Sequence, residues 1–469
     1  MWPASLWTGN WNLILGKSRE LRLERPYVMT QDNNILERVF HIRERGSTVK
    51  TELLAGLTTF MTMAYVIFVN PSVLAEAGIP MEAAIAATVY ASIFGTLLMG
   101  LWVNFPVAMA PAMGVNVFFT YYVCKTLGLH WSVALGTVFL SGVIFLLLTI
   151  TRLREKLIDS IPLNLKLAIV VGIGTFIALI GLKNGGIVVD HPNTLVTLGS
   201  LSNPEPLLCC FGLLLTVSLM IRGVQGAMIL GVLATTALAM ITGVAPLPKG
   251  LHSFVSLDLP SMGEVFMGLD IIGAMHYSVL SVVVTFTIVS LFDNMGTLIG
   301  LSKKAGFMRE DGHIDNLGKA LTADSLGTVA SSLVGTSTIA CYVESASGIS
   351  QGGRTGLTAV TVAALFALSL LFAPLIGLIP ACATAPALII VGSLMMADVV
   401  HINFSDLTEG FPAFLTIVMM PFTYSIANGI GFAFVSYPLV KLLTGKGREV
   451  NVCTWIIAIL FAVNFVLVG

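Results

Sequence analysis

Pro111-Ala-Met-Gly-Val-Asn116 and Gly335-Thr-Ser-Thr-Ile-Ala340 interrupt two apolar runs, 106–123 and 337–350, with proline, glycine and small polar residues. Both runs are too short and too broken to be clean membrane-spanning helices, which need about 20 apolar residues. They lie 224 residues apart, and the same offset relates Thr58-Thr-Phe-Met-Thr-Met-Ala-Tyr-Val-Ile-Phe-Val-Asn70 to Thr285-Phe-Thr-Ile-Val-Ser-Leu-Phe-Asp-Asn294. Further along, 207–243 and 411–445 both read as helical hairpins ending in Thr-Gly. The turn of the first carries Arg222; that of the second, Ser425-Ile-Ala-Asn-Gly429, is uncharged. One unit is used twice. With seven spans per unit, the second copy is inverted in the membrane. Inverted repeats with a broken helix at matching places point to a secondary transporter whose site lies between the breaks.

The rest of the chain agrees. Of 469 residues, 56% are hydrophobic and 10% charged, with a mean hydropathy of +0.92. A soluble domain is nearer a quarter charged. The net charge of −1 argues against a nucleic-acid binder. Thirteen charged residues fall in Met1–Lys50, leaving 36 for the other 419 residues. The fold class is therefore an all-α polytopic membrane protein of 14 transmembrane segments in a 7+7 inverted repeat. The first seven spans are expected near 51–70, 82–103, 106–123, 131–150, 164–182, 207–222 and 226–243. The second seven are expected near 276–299, 320–335, 337–350, 356–379, 384–398, 411–424 and 427–443, with an extra run at 453–468 left unassigned. A cytoplasmic N-terminus then puts Arg152, Arg154, Lys156, Arg222, Lys303, Lys304, Arg309, Lys441, Lys446 and Arg448 inside. The polar stretch 244–275, outside, carries only Lys249.

Met1–Val28 has no secretory-signal pattern, since its charges follow a short apolar stretch. Leu15-Gly16-Lys17-Ser18 is not a P-loop, because Trp11 stands where the motif needs Gly. Translation is expected to start at Met29. The cysteines (Cys124, Cys209, Cys210, Cys341, Cys382 and Cys453) sit in apolar runs with no C-x-x-C pair, so neither a disulfide framework nor a zinc site is expected. No metal or cofactor is expected, and no nucleophile–base constellation that would make an enzyme.

An ionisable group inside the bilayer is functional by default. Asp293, Asp324 and Glu344 qualify, and Asn116 joins them in the first half's break. Glu344 sits between a Ser/Thr-rich break and a Gly-rich exit, and Asp293 lies well before the Lys303-Lys304 anchor. Asp324 also reads as an N-terminal helix cap just inside the surface. With no Lys or Arg in the spans that hold these acids to neutralise them, a proton or cation is the expected partner. Phe118, Phe119, Tyr121, Phe292 and Tyr342 could sandwich a flat ring, although packing is the ordinary role of such residues. His276 reads as an interfacial hydrogen-bonding residue. Arg309-Glu-Asp-Gly-His-Ile-Asp315 lacks the EF-hand order and reads as a solvated loop.

At these residues the chain resembles a known family. Ala108-Met-Ala-Pro-Ala-Met-Gly-Val-Asn116, Phe292-Asp-Asn-Met-Gly-Thr-Leu298, Tyr342-Val-Glu-Ser-Ala-Ser-Gly348 and Gly352-Gly-Arg-Thr-Gly-Leu-Thr358 are similar, in order, to motifs of the AzgA-like purine permeases. These form a branch of the nucleobase–cation symporter superfamily. The resemblance, over roughly Ile35 to Lys446, implies a core domain (51–163 and 276–382) and a gate domain (164–275 and 383–446). Outside them lie a basic leader, 1–50, and a C-terminal apolar segment, 447–469. It implies that Asp293 and Glu344 hydrogen-bond a purine, that Gly114 and Asn116 shape and polarise the site, and that Asp293, Glu344 or Asp324 couples transport to an ion. The implied partners are a purine nucleobase, a coupling proton rather than sodium, the lipid bilayer of a bacterial inner membrane, and a second copy in a homodimer. Leu291–Gly300 resembles the adenine type, although Asn294-Met295 departs from the small residues expected there. Leu153–Pro162 resembles guanine/hypoxanthine carriers. Adenine is favoured; guanine/hypoxanthine is the alternative, and an anion transporter sharing the 7+7 fold is the more distant one.

Overall fold

The computed structural model describes residues 35–151, 153, 161–248, 250, 254–308, 314 and 316–468. The expectations for Met1–Asn34, the start at Met29 among them, lie outside the described residues. So do those for Arg152, Arg154, Lys156 and Lys249, and for most of the 309–315 loop.

Helices dominate because a backbone in hydrocarbon must satisfy its own polar groups. Among the described residues, eight helices are long and apolar enough to cross a membrane, from Val49–Ala75 to Ile426–Leu443. Each of the other expected spans also coincides with a helical element, most of them shorter or interrupted, although Tyr277–Ala305 runs unbroken for 29 residues. The helices pack in two groups. In one, Gly356–Ser369 lies on Val49–Met63 and Met81–Leu97, while Trp131–Ile150 lies on Tyr277–Ala305 and Leu317–Val334. In the other, Leu163–Asn184 packs on Ala381–Met395 and on Leu407–Phe422, which pairs in turn with Ile426–Leu443. Here Gly174 faces Gly392 so closely that a Cβ on Gly174 would stand 2.7 Å from the Gly392 carbonyl oxygen, which lets the two backbones cross in contact. The unassigned run is the helix Val452–Val468. It lies along Ile426–Leu443, with Phe465 against Phe432 and Phe461 stacked on Phe434.

Four short strands depart from a purely helical expectation. The strands β2 (Val188–His191) and β3 (Leu195–Leu198) form a hairpin outside the helices. At the centre, β1 (Met109–Pro111) pairs antiparallel with β4 (Ile339–Cys341), in the register Met109↔Cys341, Ala110↔Ala340, Pro111↔Ile339. Pro111 lacks an N–H and disfavours helix at the residue before it. In the second half Gly335, at φ +103°, ends the helix Leu317–Val334, and the β-branched Thr336, Thr338 and Ile339 favour the extended chain that follows. The crossing corrects the expected register. The two breaks correspond at an offset of 230, β1 to β4, rather than at 224.

The two faces of the bundle are fixed by side chains. On the near face, Glu52 caps the start of Gly356–Ser369, accepting from the backbone N–H of Arg354 (2.9 Å) and Thr355 (3.2 Å) and from the Thr358 hydroxyl (2.5 Å). Asn104 accepts from the Gly356 N–H at 2.7 Å, and Arg45 donates to the Asn104 carbonyl at 2.6 Å. Asp406 caps Leu407–Phe422, and the Thr408 N–H and hydroxyl it accepts hold its carboxyl below the usual range. The far face carries Glu76, Lys125, Asn184 and Tyr424.

Candidate functional site

The crossing strands satisfy each other and recruit the rest from neighbouring helices, as extended backbone inside a membrane protein must. The Ala112 N–H donates to the Thr338 carbonyl (2.9 Å), and the Tyr342 N–H to the Ala108 carbonyl (3.0 Å). Thr96 bonds both the N–H (3.0 Å) and the carbonyl (2.9 Å) of Met109. Asn294 accepts from the Cys341 N–H at 3.1 Å, and Ser345 from the Ala108 N–H at 3.0 Å.

Each strand runs into a short helix, Met113–Val117 on one side and Ser345–Ser350 on the other. A helix start whose N–H groups lack acceptors favours electron-rich ligand atoms. At Ser345–Ser350, however, the N–H groups of Ser345, Ala346 and Ser347 already donate to the carbonyls of Tyr342 (3.0 Å), Val343 (2.9 Å) and Glu344 (2.9 Å). Both helix starts open on a cavity of about 430 Å³. The first helix group lines it with Tyr65, Ala112–Gly114, Thr297 and Ala340–Glu344; the second with Val170, Val391, Leu394, Met395 and Asp398. Val343, at the centre of the fold, is 61% exposed, so the cavity is water-accessible. Asn403, just beyond Asp398, accepts from Asn164 and donates to it at the start of Leu163–Asn184, which places this wall on the near-face side. Toward the far face the two groups close on each other. Asn184 donates to the Tyr121 hydroxyl at 2.6 Å, Tyr424 meets the Tyr121 and Phe176 rings edge-on, and Lys183 lies over the Tyr424 ring at 5.1 Å.

The residues singled out from sequence fall into different places. Glu344 lines the cavity at the head of Ser345–Ser350, and its Oε1 accepts from the buried Tyr65 hydroxyl at 2.9 Å. Gly114 lines it too, with Ile173 of the second group so near that a Cβ would stand 2.7 Å from that side chain. Asn116 is fully buried beside the cavity rather than in it, and donates to the Asn70 side-chain oxygen. Asn70 in turn donates to the hydroxyls of Thr88 (2.7 Å) and Thr336 (3.2 Å). Asp324 is not a helix cap: Asn316 holds that position, and Asp324 lies buried two turns inside Leu317–Val334. Asp293 belongs to Tyr277–Ala305, one turn before the cavity-lining Thr297; its side chain lies outside the described residues, as does that of Phe292. Tyr342 lines the cavity with its hydroxyl spent on the Pro111 carbonyl at 2.6 Å, while Phe118 and Phe119 are core. His276 is exposed at the start of its helix.

Two residues escape the reading of the sequence. Tyr65 stands inside the repeated stretch Thr58–Asn70 and reads there only as part of the repeat. Asp398 closes the expected span 384–398 and reads as its end. A signal for Tyr65 does exist: the helix breaks at Ala64-Tyr65 between Val49–Met63 and Val66–Ala75, shortly before Pro71.

Paired helix breaks at the centre of an inverted repeat, with a ligand-sized cavity between two helix groups, define a polytopic transporter of the 7+7 class. Residues 50–463 match the Permease family model (Xan_ur_permease), and the chain belongs to that family, the nucleobase–ascorbate transporters. It is a transporter rather than an enzyme. Adenine permease AdeP of Escherichia coli (strain K12) is 43% identical over 439 residues, covering 94% of this chain and 98% of that protein. Guanine/hypoxanthine permease PbuO of Bacillus subtilis (strain 168) is 44% identical over 434 residues, covering 91% and 99%. The transmembrane domain of the cyanobacterium bicarbonate transporter BicA shares the fold, with a TM-score of 0.61 at 16% identity over 81% of this chain and 96% of that one.

Proposed function

We propose that this protein imports a purine nucleobase, adenine in preference to guanine or hypoxanthine, by symport with protons. The observation that carries the reading is Glu344, held by Tyr65 at a helix break and presented to a cavity of about 430 Å³. A neutral purine has ring N–H donors that a carboxylate accepts, and its other nitrogens need donors such as helix-start N–H groups. Such a site sorts ligands by hydrogen-bond pattern, because a mismatched ligand leaves buried polar groups unpaired. The relatives' names, AdeP an adenine and PbuO a guanine/hypoxanthine permease, support the substrate class.

In this reading fourteen spans form a core (51–163 with 276–382) that moves against a gate (164–275 with 383–446). The near face is cytoplasmic, in a bacterial inner membrane, and 447–469 braces the gate. Asp293 joins Glu344 on the purine, and Gly114 leaves the helix start bare for it. Asn116 supports the crossing through Asn70. Asp293, Glu344 or Asp324 carries the coupling proton, and two copies form a dimer. An anion carrier, the other reading the fold allows, fits poorly: Glu344 and Asp398 line the cavity, and no Lys, Arg or His does among the described residues.

Radiolabelled adenine uptake into cells lacking their own purine carriers tests the proposal, with guanine, hypoxanthine, xanthine and uracil as competitors. Accumulation displaced by purines but not uracil, and collapsed by an uncoupler at fixed sodium, is the expected result. No purine uptake with the protein in the membrane overturns the substrate. Accumulation that survives the uncoupler removes the proton.

A further inference from the structure

Among the described residues, the wall of the cavity given by the second helix group is apolar (Val170, Val391, Leu394, Met395) except for Asp398. Asp398 is half-buried in the tight turn Met396–His401 that ends the helix Ala381–Met395. It makes no hydrogen bond and no ion pair with any described residue, whereas Glu344 across the cavity is engaged by Tyr65. A carboxylate in an apolar wall, taking nothing from its own fold, is costly to desolvate until a donor reaches it.

We propose that Asp398 is a specificity-determining residue that accepts a hydrogen bond from a second N–H-bearing edge of the ligand, the first edge being held by Glu344. The inference rests on the purine reading and narrows it to neutral heterocycles with donors on two separate edges. A carboxylate is an acceptor, so it rewards an exocyclic amine and rejects an oxo group or a bare ring nitrogen at that edge, which leaves the ring N–H edge to Glu344. Bonds to a charged acceptor are about twice as strong as neutral ones. Glu344 and Asp398 also belong to different helix groups. A ligand bonded to both therefore bridges the groups, and its second edge is read only while the two walls face each other.

Adenine and unsubstituted purine differ by one exocyclic amine, and equilibrium binding of each to the purified full chain isolates that group. The wild-type protein should bind adenine at least about tenfold more tightly than purine. Asp398→Asn and Asp398→Ala should each bring that ratio down to about threefold or less, and Asp398→Asn carries the test if the alanine variant fails to fold. An unchanged adenine-to-purine ratio in Asp398→Asn overturns the assignment. A wild-type protein that binds neither ligand overturns the purine reading itself, and Asp398's role with it, so the two failures are distinct.

Discussion

In the first half, the break at Met109–Pro111 leads into a helix whose one polar side chain, Asn116, points into a buried amide pair with Asn70. In the second half, the matching break at Ile339–Cys341 leads to Glu344, whose carboxylate faces the cavity and takes a hydrogen bond from Tyr65. The backbone is the same at both places, an extended triplet running into a short helix. The side chains divide the labour: the first copy holds the crossing together, and the second supplies acid chemistry. The matched asparagines show the same split. Asn70 ties three partners into one buried network, while Asn294 meets the backbone at the Cys341 N–H. Duplicating a fold thus duplicates its scaffold without duplicating its site.

Substitutions on the two sides should separate these jobs. The largest effect is expected for Glu344→Gln, which should cut purine uptake by about 100-fold with the protein still in the membrane. A bond to a charged acceptor contributes about 1.5–3 kcal/mol, and the upper end of that range corresponds to such a factor. Uptake within threefold of wild type would remove Glu344 from the site. Next is Asn70→Ala, which strands Asn116 and the Thr336 hydroxyl in a dry interior, while the Thr88 hydroxyl keeps the Ala84 carbonyl. Each stranded group costs about 1–3 kcal/mol, so the thermal midpoint in detergent should drop by several degrees, and by clearly more than for Asn294→Ala. Equal drops would mean that the halves share the scaffolding work evenly. Tyr65→Phe is the mildest. Losing one hydroxyl, about 1 kcal/mol, should raise the uptake KM about fivefold while the maximal rate stays within twofold. A fall in maximal rate alone would give Tyr65 a part in movement rather than in holding Glu344.

The repeat and both breaks are legible in the sequence because proline, glycine and β-branched residues disrupt helices by local rules. The partner of each break is not, since Pro111 and Ile339 meet only through the fold. Glu344 stands out because charge is scarce in the spans. Asp398 does not, for the opposite reason: a charge at the edge of an apolar run reads as the end of the run, and only the cavity shows that this end faces inward. Asn116 is legible as polar and central, but its engagement with Asn70 is not, because that partner lies on another helix.

The pairing of β1 with β4 bears on ancestry. One unit alone would hold a three-residue strand with an open edge at the middle of a bilayer, where nothing can hydrogen-bond it. A chain of that length would close the edge against an upside-down copy of itself, as β4 closes β1 here. A gene for a single unit would therefore have to be inserted into the membrane in both orientations, and fusing two such genes would fix one orientation for each half. Only then could the halves diverge, one keeping its asparagine pair and the other its acid.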